Sequence, residues 1–223
     1  LITAKVKELG GTALFINTDI RSEESIISAV RQLDDFDTIN GFIHCAAVVR
    51  MSGTIDTSQS YADLMYQVNA RAPLILSKAL FPKLQNAEPA NIIFISPPIN
   101  LDPRWLGAHL SYTSSKYLCS MHVVGLSAEF ESHAISVNAI WPKYSISSPD
   151  MCNMINGTYG DMNSVRRKPD IVADAIAILL ENDCVTGECL IDEQILLDAG
   201  IESFEHYECQ TGNGMSAISE FIS

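Results

Sequence analysis

Short uninterrupted apolar runs alternate with longer stretches of helical period along this chain. Residues 13–19 (ALFINTD), 42–47 (FIHCAA), 90–96 (ANIIFIS), 135–141 (ISVNAIW) and 188–192 each read as a buried strand. Between them lie helical patterns. Residues 1–9 read as the end of an amphipathic helix stopped by Gly10-Gly11. Ser22-Glu23-Glu24-Ser25 caps a helix over 24–33. Residues 58–84 predict one long helix or two abutting ones, with Pro73 as the point of division. A long helix runs over 112–133, and Lys168-Pro169-Asp170 starts another that reaches 180 or 181. Pro97-Pro98 opens a loop before Tyr112. Residues 145–163 read as irregular, and 202–223 as a ragged surface extension to a domain covering 1–201.

Strand–helix alternation with fully apolar strands predicts an α/β fold: a Rossmann-like, doubly wound parallel sheet covered on both faces. Ligands of such sheets sit at the carboxyl ends of the strands. Asp19, Ala46-Ala47 and Ser96 stand at three such ends.

Composition narrows the function classes. A formal net charge of -13 argues against nucleic acid and anionic membrane surfaces, so an anionic ligand must be held by local amides and cations. No apolar run approaches the ~18 residues of a membrane helix. The six cysteines form no Cys-x-x-Cys, and the five histidines are scattered. No metal site is therefore expected, and the cysteines read as free thiols in an intracellular, reducing compartment.

The candidate chemistry lies in 111–117 (SYTSSKY), where Tyr112 and Lys116 are spaced i, i+4. On a helix both side chains leave one face, about one turn apart. A phenol titrates near pH ~10 in water, and a neighbouring ammonium favours its anion. Tyr112 is then a candidate general acid/base for a hydroxyl or carbonyl.

Ser96 at a strand end, Tyr112-x-x-x-Lys116 opening a long helix, and Asn69 within Val68-Asn69-Ala70-Arg71 together closely resemble the short-chain dehydrogenase/reductase family. The stretches 95–98 (ISPP), 140–143 (IWPK) and 190–193 (LIDE) resemble its hydroxysteroid dehydrogenase-like branch. The resemblance implies an NAD- or NADP-dependent oxidoreductase acting on a small-molecule alcohol or ketone, plausibly lipid-like. It implies that Tyr112 exchanges the substrate proton and that Ser96 bonds the substrate oxygen. Lys116 would hold the nicotinamide ribose and lower the Tyr112 pKa, with Asn69 on a water-linked proton path. Asp19 and Ile20 would meet the adenine, Ala46 and Ala47 the adenosine ribose, and Pro142 and Lys143 the nicotinamide side. The same resemblance implies a homodimer or homotetramer formed through 58–84 and 112–133, and a peroxisomal or mitochondrial location. The Met and Tyr residues of 151–162 suit either an apolar flap over a lipid-like ligand or a surface loop.

The departures are specific. Where the family carries Asn-Asn-Ala-Gly, this chain has His44-Cys45-Ala46-Ala47. Lys143 replaces a glycine, and either a cofactor phosphate or solvent could face it. No Gly-x-x-x-Gly-x-Gly exists in the sequence, so the strand–turn–helix that cradles a pyrophosphate is not encoded. The expectation is a shortened form of a longer protein, lacking the first strand, glycine-rich turn, helix and second strand. A catalytically silent fragment or pseudoenzyme, retained for association, is the alternative function.

Overall fold

The computed structural model describes residues 2–147, 166–181, 185–210 and 221–222. The 151–162 stretch lies outside the described residues. Four parallel strands, β1 (Gly41–His44), β2 (Ala90–Ile95), β3 (Ile135–Trp141) and β4 (Cys189–Ile191), form one sheet in sequential order. The β2–β3 ladder is the longest and runs from Ala90↔Ile135 to Ile95↔Ile140. Ser96 N–H continues it by donating to Ile140 O at 3.1 Å.

Both faces of the central strands β2 and β3 are buried, as continuous apolar strands require. Ile92 and Phe94 of β2 with Val137 and Ala139 of β3 meet Leu80 and Leu84 of α4 (Ala72–Leu84) and Val123 and Leu126 of α6 (Leu110–Glu129). The alternate residues Ile93 and Ile140 face the other way. They meet α7 (Asp170–Glu181) through Ile171, Ala175 and Leu179, and α8 (Asp192–Asp198) through Ile195 and Leu196. The α/β, doubly covered sheet expected from the pattern is the observed architecture.

Three earlier helices precede α4: α1 (Ile2–Glu8), α2 (Glu23–Arg31) and α3 (Gln59–Met65). α1 ends in a glycine cap, with Gly10 at φ +83, Gly10 N–H on Lys7 O and Gly11 N–H on Val6 O. The Ser22 side chain accepts from Ser25 N–H at the start of α2. Asp102 likewise caps α5 (Pro103–Ala108), a helix inside the loop expected before Tyr112.

The structure corrects the strand expected over 13–19. That segment carries no regular structure, and Leu14 and Phe15 are 59% and 78% exposed. A parallel strand exists only through hydrogen bonds to its neighbours. No described strand lies between this segment and the edge strand β1. The tail is also corrected: Tyr207, on a short 3₁₀ turn (Glu205–Tyr207), and Phe221 are both buried.

The division near Pro73 takes a particular form. Between α3 and α4 the chain makes a π-helical segment, Tyr66–Arg71, whose end is marked by Ala72 N–H bonding Gln67 O. Pro73 has no N–H to offer the carbonyl of Asn69, so an α-helical bond is missing at that point. The widened turn carries Asn69 inward, where it is buried.

Candidate active site

Tyr112, Lys116 and Ser120 recur every four residues on α6, and all three are buried against the carboxyl end of β2. Lys116 Nζ donates to Ile95 O, the last carbonyl of β2. Its ammonium stands 5.5 Å from the ring centre of Trp141, at the end of β3. No carboxylate among the described ion pairs faces it. Burial pushes its pKa down, while the nearby Cys119 and Cys45 thiols oppose the shift.

Ser96 holds the helix backbone. Its Oγ donates to Lys116 O at 2.8 Å and lies 2.7 Å from Ser120 Oγ, which in turn donates to Pro97 O at 2.6 Å. Ser96 Oγ and Ser120 Oγ carry one proton each against three contacts, to Lys116 O, to Pro97 O and to each other, so neither has a proton to spare for a ligand. Asn69 is equally committed. Its Oδ1 accepts from Val48 N–H at 2.8 Å, and its Nδ2 donates to Val48 O at 2.8 Å and Ser115 Oγ at 3.0 Å. Ser115 Oγ donates to Tyr112 O at 2.7 Å. Ser96, and Asn69 through Ser115, therefore reach the α6 backbone at Lys116 and Tyr112, the two positions of the expected acid/base pair. The structure brings the four expected catalytic residues together, with Ser96 and Asn69 as clamps on backbone.

The Tyr112 ring stands edge-on to His109 at 5.8 Å and 6.4 Å from Phe221. His44, at the end of β1, is buried with its pKa lowered to about 4, first by burial and then by the Lys116 charge. Beyond it, Cys45, Ala46 and Ala47 are exposed, with small side chains that leave the backbone open to close approach.

Two expected cofactor contacts have other partners. Asp19 is gripped by Arg21: Oδ1 accepts from Arg21 N at 3.0 Å and Nε at 2.9 Å, and Oδ2 from Nη2 at 2.7 Å. That hydrogen bonding to Arg21 holds the carboxyl down at about 2. Ile20 occupies the turn between them. Lys143, after the half-buried Pro142, pairs with Glu193 Oε2 at 2.9 Å, while its N–H donates to Asp192 Oδ1 at 2.9 Å. The hydrogen bond to Glu193 raises the Lys143 pKa. Arg71, which the sequence reading passed over, ties the Asp19 turn to the π segment through Nη1 to Arg21 O at 3.1 Å.

A family model described as short chain dehydrogenase matches residues 1–155. The chain belongs to the short-chain dehydrogenase/reductase family. Within it, the chain falls in the hydroxysteroid dehydrogenase-like branch. It is 38% identical over 211 residues to hydroxysteroid dehydrogenase-like protein 2 of Homo sapiens, and 37% identical over 212 residues to that of Danio rerio. Each match covers 94% of this chain and 50% of the relative, so the chain spans about half the length of the curated relatives it matches. A solved putative dehydrogenase from Xanthomonas campestris superposes with a TM-score of 0.91 at 33% identity, covering 99% of this chain and 80% of that one. A short chain dehydrogenase from Mycobacterium thermoresistibile gives 0.91 at 26% identity, covering 99% and 78%. The oxidoreductase family membership and Rossmann-like fold follow from these matches together with the parallel sheet.

The residues present fit one end of a nicotinamide dinucleotide. The buried Lys116 cation and the exposed backbone at Ala46 and Ala47 converge at the carboxyl edge of the sheet, suited to ribose and ring. The pyrophosphate end has no counterpart in this sequence, which lacks the glycine-rich turn. Among the described residues no cluster could hold a metal ion, and no described helix is long and apolar enough to cross a membrane.

Proposed function

We propose that this chain is the dehydrogenase portion of an NAD- or NADP-dependent oxidoreductase acting on an alcohol or ketone carried by an apolar, lipid-like molecule. One observation carries the reading: Tyr112 and Lys116 lie one turn apart on the buried face of α6, beside the carboxyl end of β2, and no described carboxylate neutralises the ammonium. A phenol so placed gives a proton to a carbonyl oxygen, or takes one from a hydroxyl, at the developing charge. Lys116 supports the phenolate by its charge. Ser96 and Asn69 keep the two side chains in register by holding the carbonyls of Lys116 and, through Ser115, Tyr112. The bound cofactor supplies the hydride.

The test is consumption of reduced nicotinamide by the full-length protein against a panel of ketones. Tyr112→Phe should lower kcat/KM by about 10²-fold or more. Unchanged turnover would remove Tyr112 from the reaction.

A second reading, a catalytically silent association module, draws on Asp19 being held by Arg21 and Lys143 by Glu193. Calorimetric titration of the 223-residue chain with NADP and NAD discriminates the two, because micromolar binding excludes the second reading. Association through α4 and α6 into a dimer or tetramer belongs to both proposals. It is supported by a 430 Å3 apolar cavity between these helices, lined by Leu74, Ile75, Phe81, Leu126 and Phe130, and by exposed Met121 and Val124. Sedimentation equilibrium tests it.

A further inference from the structure

Phe221 is 1% exposed and lies inside an aromatic shell. Ring centres of Tyr117, Trp141, Trp105, His109 and Tyr112 stand 5.5, 5.7, 5.8, 6.3 and 6.4 Å away. The shell is assembled from α5, the first turns of α6 and the end of β3, all at the carboxyl edge of the sheet. It is separate from the two cores that hold the helices against the sheet faces. Phe221 itself sits at φ +71, the left-handed region that strains a residue with a Cβ. Among the described residues, Asn100 Nδ2 donates to Phe221 O at 3.4 Å. The indole Nε1 of Trp105 is buried with no acceptor among the described residues, which leaves one donor of the shell unspent.

A molecule that brings an oxygen to Tyr112 must put its next atoms into this shell. We propose that Phe221 is a built-in occupant of the substrate chamber, displaced by an apolar group of benzyl size that carries a hydrogen-bond acceptor. The inference rests on Tyr112 facing the substrate. It adds that the chain blocks its own site and that ligand affinity is reduced by the fraction of molecules with Phe221 in place.

The test reads binding and not turnover, so it stands apart from the fate of the oxidoreductase reading. Both tryptophans of the chain, Trp105 and Trp141, belong to the shell, so their emission reports its content alone. The full 223-residue chain is titrated with methyl phenylacetate, a neutral benzyl group carrying an ester carbonyl acceptor, and followed by tryptophan emission, as wild type, Phe221→Leu and Phe221→Ala. Affinity should rise in that order, with Phe221→Ala about tenfold tighter than wild type, saturating at one equivalent and quenching tryptophan. Equal affinities for wild type and Phe221→Leu would overturn the proposal whether or not the alanine variant folds. So would a Phe221→Ala chain that has lost cooperative unfolding, which would make Phe221 a core residue.

Discussion

Ser96 Oγ and Ser120 Oγ lie 2.7 Å apart, joining the end of β2 to the middle of α6 across a fully buried contact. The residue expected to bond substrate is thereby spent on the helix that carries Tyr112 and Lys116. Ser96→Ala should lower the unfolding free energy by about 1–2 kcal/mol, because a buried hydroxyl with good partners is lost while Ser120 keeps Pro97 O. Urea denaturation of the variant against wild type measures it. No change in the midpoint would mean that the hydroxyl pair contributes nothing to the fold.

Asn69 offers a sharper case, since one amide closes three bonds. Asn69→Ala leaves Val48 N–H and Val48 O without their side-chain partner and frees Ser115 to turn from Tyr112 O. The expected cost is about 2–4 kcal/mol, read by the same denaturation. Asn69→Asp keeps the acceptor but buries a carboxylate with one oxygen facing Val48 O, so it should cost at least as much as alanine. An aspartate variant as stable as wild type would show that the two donated bonds carry no weight.

The legible parts of this chain were those fixed by local pattern. The four observed strands follow from short apolar runs, and α2 from its period and its Ser22 cap, whereas α6 begins without a side-chain cap. The strand expected over 13–19 failed for a non-local reason: its sequence is strand-like, but a strand needs a neighbour, and none is described beside it. The α5 helix had a visible signal in Asp102-Pro103, a cap followed by a first-turn proline. The π segment is encoded at Pro73, but that it turns Asn69 inward depends on where Val48 and Ser115 lie. The tyrosine–lysine pair was legible as spacing. The commitments of Ser96, Asp19 and Lys143 were not, because their partners Ser120, Arg21 and Glu193 take those roles only in the folded arrangement.

Lys143 and Glu193 join the loop after β3 to the start of α8. The Glu193 side chain is only 12% exposed, whereas that of Lys143 is 40% exposed. Lys143→Met should therefore cost about 1–2 kcal/mol, above a surface pair but below a fully buried one, because a half-screened lysine leaves a mostly buried carboxylate behind. Glu193→Gln should cost less. The Lys143 pKa is raised in the fold, so the stabilisation is complete below the unfolded value near 10.5 and is lost as pH rises through the higher folded value. Denaturation midpoints between pH 9 and 11.5 should show a decline that Lys143→Met lacks, within about that pH range for an ordinary lysine. Parallel profiles for the two proteins would remove the pair from the stability of the fold.

His44 sets the opposite limb of the pH profile. It is 6% exposed between Phe42 and Phe94, with ring centres 6.2 Å from each, and its Nε2 has no partner among the described residues. Burial, with the Lys116 charge, brings its pKa from 6.5 to about 4. Below pH 6.5 the unfolded chain takes up a proton that the folded chain refuses. Stability from this residue is therefore complete above 6.5 and drains away as pH falls toward 4, by at most about 1.4 kcal/mol per pH unit. His44→Phe, close in shape and unable to titrate, should remove that part of the slope. Exposed carboxylates contribute acid sensitivity of their own, so the decisive quantity is the difference between the two proteins at pH 7 and at pH 4.5. A difference that stays constant across that interval would show that His44 is protonated as readily inside the fold as outside it.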